Sequence, residues 1–552
     1  MAGYFDLGSY ERPVTTASPQ AREWFRRGLI WVYGFNHEEA AGCFERAIQA
    51  DPGCALARWG LAYALGPNYN KPWEAFDPAD RTASGSKAYA ATAAAAELRG
   101  GTAVERALIG ALARRYQSAD PGDGERGSAW NLDYADAMRQ VYLAHPHDLD
   151  VAALFADALL NLTPWALWDT ATGEPAAGAA TIEARDVLER ALAAPAGHDH
   201  PGLLHFYIHL MEMSPRPEDA LWAGELLRDL VPDAGHLRHM PTHLDVLCGD
   251  YRNVVRSNAN AIAADEKFLA ERGAMNFYTL YRAHDYHFRI YGAMFCGQAA
   301  AALDSAGRLA AAITDELLRV TSPPMADWLE GFVPMRLHVL IRFGRWAEII
   351  ATPLPADQER YCVTTAMTHY AKGIACAASG QIPEALAQRT AFTAATARVP
   401  ASRMVFNNSC LDILTVAAAM LDGEIEYRQG RPDDAFASLR RAIDLDDGLP
   451  YDEPWAWMQP ARHAYGALLL EQGRVEAAAA VYRADLGLDA SLPRPCRHPG
   501  NVWSLHGYHE CLTRLGQTGQ AAIIGQQLRI AAAYADVPIQ ASCFCRLDAI
   551  AP

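Results

Sequence analysis

Between Leu204 and Val246 the chain places five histidines and a glutamate in two short stretches, HFYIHLMEMS and AGHLRHMPTHLD: His205, His209 and Glu212, then His236, His239 and His243. On a helix turning about 100° per residue, positions i, i+4 and i+7 fall at about 0°, 40° and −20°, so the first three share one narrow face. In the second stretch Pro241 suits the first position of a helix. That leaves His239 just before the helix, His243 in its first turn and His236 in the preceding loop. Two adjacent antiparallel helices with these faces would gather up to six ligand-type groups, enough for one crowded or two neighbouring transition-metal ions. Even scattering of the 18 His over 552 residues would put about one in the 39 positions from 205 to 243, and five are there.

His284-Asp285-Tyr286-His287 adds two imidazoles on one helical face at i and i+3, either to complete the site or to help orient its ligands. The expected metal set is therefore His205, His209, Glu212, His236, His239, His243, His284 and His287. Imidazole with one carboxylate suits Zn, Cu or Fe, whereas the several oxygens that Ca or Mg needs are missing and Cys248 is the one thiol nearby. More than four donors argues against a closed structural zinc, because a helical repeat protein needs no metal staple. With Zn the chemistry would be hydrolysis, with Glu212 as general base rather than ligand. With Cu or Fe it would be oxygen-dependent oxidation of a small organic substrate in a pocket helped by Phe206, Tyr207, Tyr278, Tyr281 and Tyr286. Few acid–base carboxylates lie near, which favours an oxidoreductase using Cu or Fe over a zinc hydrolase. Glu212 and Tyr207 are the candidate catalytic side chains.

The other histidines carry less. His37, His145, His147, His338, His369, His463, His498, His506 and His509 read as hydrogen-bonded structural residues, and His198 and His200 lie in a loop without an assigned role. Gly122 to Gly127 spells G-x-G-x-x-G, but it follows a charged helical stretch rather than a buried strand and reads as an acidic loop. His37-Glu38 opens like H-E-x-x-H, yet position 41 is Ala. No Walker A sequence and no G-x-S-x-G elbow is present.

Rigid elements must hold such a site, and the sequence predicts helices. Ala, Leu, Glu and Arg recur at helical spacing while alternating Val, Ile and Thr runs are nearly absent, giving an all-α fold. From Ala21 to Gly53, the residues Trp24, Gly28, Trp31, Ala40, Phe44, Ala47 and Pro52 follow the tetratricopeptide (TPR) spacing: large residues open a helix pair, small ones let the helices approach, and Pro ends the unit. Ala435, Leu439, Ala442, Gly466, Gly473 and Tyr482 repeat the pattern more loosely around an insertion, Asp446 to Trp457. Cys248-Gly249-Asp250-Tyr251 and Phe343-Gly344-Arg345-Trp346-Ala347 look like the turns between paired helices. The expected architecture is a TPR-like right-handed superhelix, an α-solenoid of antiparallel helix pairs. It runs as one continuous array over 1–552, with N-terminal repeats at 1–117, His-rich repeats at 129–300 and C-terminal repeats at 301–552. Loops are expected at Ser118 to Ser128, Asp169 to Ala180, Thr321 to Pro324 and Pro353 to Gln358.

Composition sets the outer limits. The formal net charge of −17, from 48 Lys+Arg against 65 Asp+Glu, opposes nucleic acid and anionic membrane as partners. No secretory signal and no membrane-length apolar run is apparent, so a cytoplasmic protein is expected. The eleven Cys are scattered, with Cys543 and Cys545 the one close pair, so no disulfide framework or zinc knuckle is indicated.

Several phrases spread along the chain carry a resemblance: Phe35-Asn36-His37-Glu38-Glu39-Ala40, Leu65-Gly66-Pro67-Asn68-Tyr69-Asn70, Pro164-Trp165-Ala166-Leu167-Trp168, the two His stretches, Tyr451-Asp452-Glu453-Pro454 and Pro499-Gly500-Asn501-Val502-Trp503. The chain resembles a group of bacterial TPR-containing proteins of similar length that share the HFYIH and HMPTH motifs. The resemblance implies a full-length helical-repeat protein whose unusual residues are His, polar and aromatic, and it implies no particular activity. His37, Asn68 and Asn70 would face the same cavity if the superhelix closes. A reading from another class stays open, a non-catalytic scaffold that docks a peptide or protein in a concave groove.

Overall fold

The computed structural model describes residues 4–547. Helices of 4 to 22 residues follow one another along the chain, and among the described residues the one two-stranded sheet is a hairpin pairing Met404 with Ser409 and Val405 with Asn408. The all-α expectation holds. Among the described residues no helix is long and apolar enough to cross a membrane. A disulfide joins Cys543 to Cys545, and the other nine cysteines form no disulfide.

The chain divides into two compact units, Met1–Leu244 with Asn260–Arg282, and Asp245–Ala259 with Ala283–Pro552. This division falls inside the His-rich sub-region rather than at its ends.

The first unit begins with the TPR spacing made physical. Helix Pro19–Tyr33 is capped by Ser18, and helix His37–Ala50 by Asn36. The ring of Phe44, fully buried, fills the space between Gly28 and Gly60. A methyl group at Gly28 would stand 2.8 Å from that ring, and one at Gly60 2.4 Å, so both positions must be Gly for the helices to close on the aromatic. Gly60→Ala is expected to lower unfolding stability by about 1–3 kcal/mol through overpacking. Gly42→Ala, in an open helical position with nothing within 4 Å, should instead leave it level or raise it by up to about 1 kcal/mol. Urea unfolding of the two variants side by side checks this, and equal effects would contradict it.

Further along, the expected loop from Ser118 is shorter than read. Asp123 accepts from the Arg126 N–H and starts helix Gly124–Ala144, so the G-x-G-x-x-G phrase sits across a helix start that an N-terminal Asp favours.

The second unit ends in four helix pairs: Cys362–Ala378 with Ile382–Thr396, Cys410–Arg428 with Pro432–Asp447, Ala461–Glu471 with Val475–Asp485, and Val502–Arg514 with Thr518–Ala532. Tyr482 repeats the part of Phe44, with Gly466 and Gly507 approaching its ring. Gly249 and Gly344 have φ of 83° and 62°, the left-handed turns expected after Cys248 and Phe343. The Asp-rich insertion folds inward: Asp452 is buried and accepts from Asn408 Nδ2 at 3.1 Å, which ties it to the hairpin.

His338, 2% exposed, packs edge-on to Trp457, its Nδ1 has no hydrogen-bond partner, and burial holds its imidazole down at about 4. Unfolded, the same group titrates near about 6.5. The unfolded chain therefore takes up this proton first, so the stability tied to neutral His338 is complete above pH 6.5 and is lost as pH falls toward about 4. Between about pH 7.5 and 5 the wild type should lose about 2 kcal/mol more than His338→Leu, measured by urea unfolding at both values. Parallel losses would show that His338 does not titrate in this way.

Candidate metal centre

Helix Pro201–Glu212 carries the first stretch. His200 caps it by accepting the Leu203 N–H at 3.2 Å, and Pro201 occupies the first turn, where its missing N–H costs nothing. It packs against helices Leu149–Leu160, Thr181–Leu192 and Pro19–Tyr33, and all twelve of its residues are buried. Burial on every side takes the His face out of water along with the apolar ones.

The second stretch differs from the expectation. His236 and His239 lie on a short helix, Gly235–His239, rather than in a loop. Arg238 N–H to Ala234 O at 3.1 Å and Met240 N–H to His236 O at 3.0 Å continue the turn. Pro241 has no N–H to bond back to Leu237, so the helix is interrupted and restarts as Pro241–Cys248. The start at Pro241 is the one expected.

These elements bring together His205, His209, His236, His239 and His243, none more than 1% exposed. Ring centroids of His205 lie 4.7 Å from His209 and 5.0 Å from His236, and those of His239 and His243 are 4.7 Å apart. One ring nitrogen from each of His205, His209 and His236 lies within 4.8 Å of the others. These buried histidines form groups that could bind a metal ion.

The hydrogen bonds decide which nitrogens face inward. Tyr33 ends its helix with a carbonyl that has no partner further along that helix, and His205 Nδ1–H donates to it at 2.6 Å. His209 Nδ1–H donates to Glu212 Oε1 at 2.9 Å, and His243 Nδ1–H donates to Glu212 Oε2 at 2.7 Å. With Nδ1 protonated, each ring presents the lone pair of Nε2. The Nε2 atoms of His205 and His209 have no hydrogen-bond partner. His243 Nε2 lies 2.7 Å from His239 Nε2, the spacing of an N–H···N hydrogen bond, and with His243 protonated on Nδ1 the donor is His239 Nε2–H.

Burial keeps the His205 and His209 rings neutral. It pushes His205 down to about 3, and it pushes His209 well below its usual value, with His205 and His239 adding repulsion. Neutral imidazole is the form that ligates metal, so protons do not compete for the site near neutral pH.

Glu212 has both oxygens committed to two imidazoles, and so it orients these rings. In Glu212→Gln one amide oxygen replaces two carboxylate oxygens, and the amide N–H donors oppose one Nδ1–H. Metal affinity is expected to fall about 10–100-fold, read by competition with a chelator of known affinity. Unchanged affinity would show that the two imidazoles do not depend on this carboxylate.

An aromatic wall encloses the group. Phe35 lies 4.6 Å from His205, 5.7 Å from His209 and 5.8 Å from His236, Tyr69 4.7 Å from His209, Trp165 6.0 Å from His209, and Tyr281 4.5 Å from His236. Phe35 and Trp165 have φ of 55° and 59°, left-handed backbone that costs a non-glycine residue about 1–2 kcal/mol. The tyrosines at 278 and 281 were expected near the site. Phe35, Tyr69 and Trp165 were not, and the signal they left was an aromatic set inside a Gly-, Pro- or Asn-containing break between helices.

Tyr207, two positions after His205, points about 200° around the helix, and its hydroxyl donates to Glu189 at 3.2 Å, which removes it from the site as a catalytic group. His284 and His287 belong to the second unit. His284 packs against Phe406 at 4.7 Å, and His287 lies against Phe332 at 5.2 Å with its Nε2 2.8 Å from Met458 Sδ. Asn68 is committed to its own turn, accepting the N–H groups of Asn70 and Lys71. His37 lies 6.2 Å from both Phe35 and Tyr63, and burial lowers it to about 3.

No family model and no curated protein matches the chain. Among solved structures it is similar to the structure of Naa15/Naa10 bound to HypK-THB, over 92% of its own length and 70% of that chain, at 13% identity and a TM-score of 0.22. That superposition is too loose to carry geometry or partners to this chain.

Proposed function

We propose that the five buried histidines bind a transition metal and that the protein is a metal-dependent oxidoreductase, using copper or iron on a small organic substrate. The observation that carries this reading is the convergence of neutral imidazoles whose Nδ1 atoms are tied to fixed acceptors, leaving Nε2 donors without protein partners at His205 and His209. An all-imidazole donor set suits Cu, Fe or Zn. Glu212 tips the balance away from hydrolysis, because the one carboxylate that would serve a zinc-bound water as base already accepts from two rings. When bound, the metal would supply one-electron or oxygen chemistry. The chain's own residues hold the ligands in one tautomer, and Phe35, Tyr69, Trp165 and Tyr281 wall the donors off with apolar ring surface.

Elemental analysis of protein purified without chelators tests this, with about one equivalent or more of Cu or Fe expected per chain. Less than about 0.2 equivalents of any transition metal would overturn the metal reading. Stoichiometric zinc, with no uptake of copper or iron by the stripped protein, would overturn the redox reading.

A further inference from the structure

Arg115 is fully buried, and none of its three guanidinium nitrogens has a hydrogen-bond partner. Other buried arginines are paired: Arg12 reaches Asp148 and Asp150, and Arg342 donates to His463 Nδ1 and the Ser542 carbonyl. Among the described residues Arg115 alone has all three side-chain nitrogens buried and unpartnered. Asp157 helps hold the guanidinium charged, but its Oδ1 accepts from Asn161 Nδ2 at 2.9 Å and its Oδ2 from the Tyr63 hydroxyl, and it takes no hydrogen bond from Arg115. A buried guanidinium without acceptors is costly, so a fold that retains one has a use for its donors.

The surroundings say what those donors fit. The guanidinium carbon lies 4.2 Å from the Tyr134 ring and 5.6 Å from the Tyr63 ring. The hydroxyls of Tyr134 and of Tyr116, the next residue in the chain, are also buried without partners. One fixed positive charge, a planar fork of N–H groups and two neutral O–H donors match a carboxylate, whereas a phosphate dianion would bring a second negative charge with no second cation.

We propose that Arg115, with the hydroxyls of Tyr116 and Tyr134, binds the carboxylate of a small organic acid. This subsite stands apart from the metal reading and is tested apart from it. The rings of Tyr63 and Tyr134 select an organic acid with a flat or apolar body. Arg115 acts here by binding and positioning.

Calorimetric titration of the full chain with benzoate, and with benzamide as its neutral counterpart, is the test, run on the metal-containing and on the chelator-stripped protein. Benzoate should bind both forms and benzamide should not, and Arg115→Met should weaken benzoate about 30-fold or more without changing metal content. If Arg115→Met fails to fold by circular dichroism, Tyr116→Phe with Tyr134→Phe serves in its place, with about tenfold weaker binding expected. Equal binding of benzamide, no benzoate binding, or variants that bind as the wild type does would overturn the subsite. Benzoate that is lost on chelation and indifferent to Arg115→Met sits on the metal, which overturns the subsite and leaves the metal reading standing. Benzoate binding that follows Arg115 in a chain holding no metal does the reverse.

Discussion

Leucine at both His205 and His209 is expected to take the metal content from about one equivalent or more to below about 0.1 per chain. Both rings are buried and neutral, so leucine replaces an uncharged ring with an apolar side chain of similar reach and leaves no buried charge behind. The cost to the metal-free fold is confined to the Tyr33 carbonyl and one Glu212 oxygen, which lose their donors. The informative readout is therefore the melting temperature with and without chelator. Wild type should melt higher with metal bound, because a ligand that binds only the folded state stabilises it, and the double variant should melt at one temperature in both conditions. A chelator-sensitive double variant would place the metal on other residues.

Removing the carboxylate of Asp485 should have the largest effect on stability. Asp485 is fully buried in the second unit and accepts from His463 Nε2 at 3.1 Å, His498 Nδ1 at 2.8 Å, Asn501 Nδ2 at 3.0 Å and Ser504 Oγ at 2.6 Å. Burial alone would raise its pKa, but His498 and His463 outweigh burial and hold it well below the usual carboxylate value. His463 takes a hydrogen bond from Arg342 on its other nitrogen, at 2.9 Å, so it links a buried guanidinium to a buried carboxylate. Burial pushes Arg342 down to about 9, which still leaves it charged at neutral pH. Asp485→Ala therefore strands a positive charge and four donors at once. Its expected cost is about 3–5 kcal/mol, measured by urea unfolding near pH 7.5. A loss below about 1 kcal/mol would mean that water replaces the carboxylate without penalty.

The parts of the site that could be read from sequence are those set by local spacing. Positions 205, 209 and 212 share a face because a helix repeats every 3.6 residues, and Pro241 marks a helix start because it lacks an N–H. The Gly28, Phe44 and Ala47 pattern gave the helix pair for the same reason. What could not be read depends on residues far apart in the chain. Glu212 looked like a ligand or base, and only the arrival of His243, 31 residues on, commits its second oxygen. Phe35 and Trp165 adopt left-handed backbone that their residue types do not announce. His236 follows a turn that pattern alone reads as a loop, and the helical phase of Tyr207 opposes the catalytic role its residue type suggests.

The bond from His205 to the Tyr33 carbonyl spans 172 residues of sequence, and this governs how the protein can be dissected. A fragment beginning after Tyr33 would keep every histidine of the centre and still lack the acceptor that fixes the proton on His205. During synthesis the acceptor is made early and the last ligand, His243, much later, so the ligands of a nascent chain cannot be ordered until more than two hundred residues have emerged. On the metal reading, capture follows folding, and expression boundaries drawn around the histidine stretch alone would yield a different arrangement of the rings.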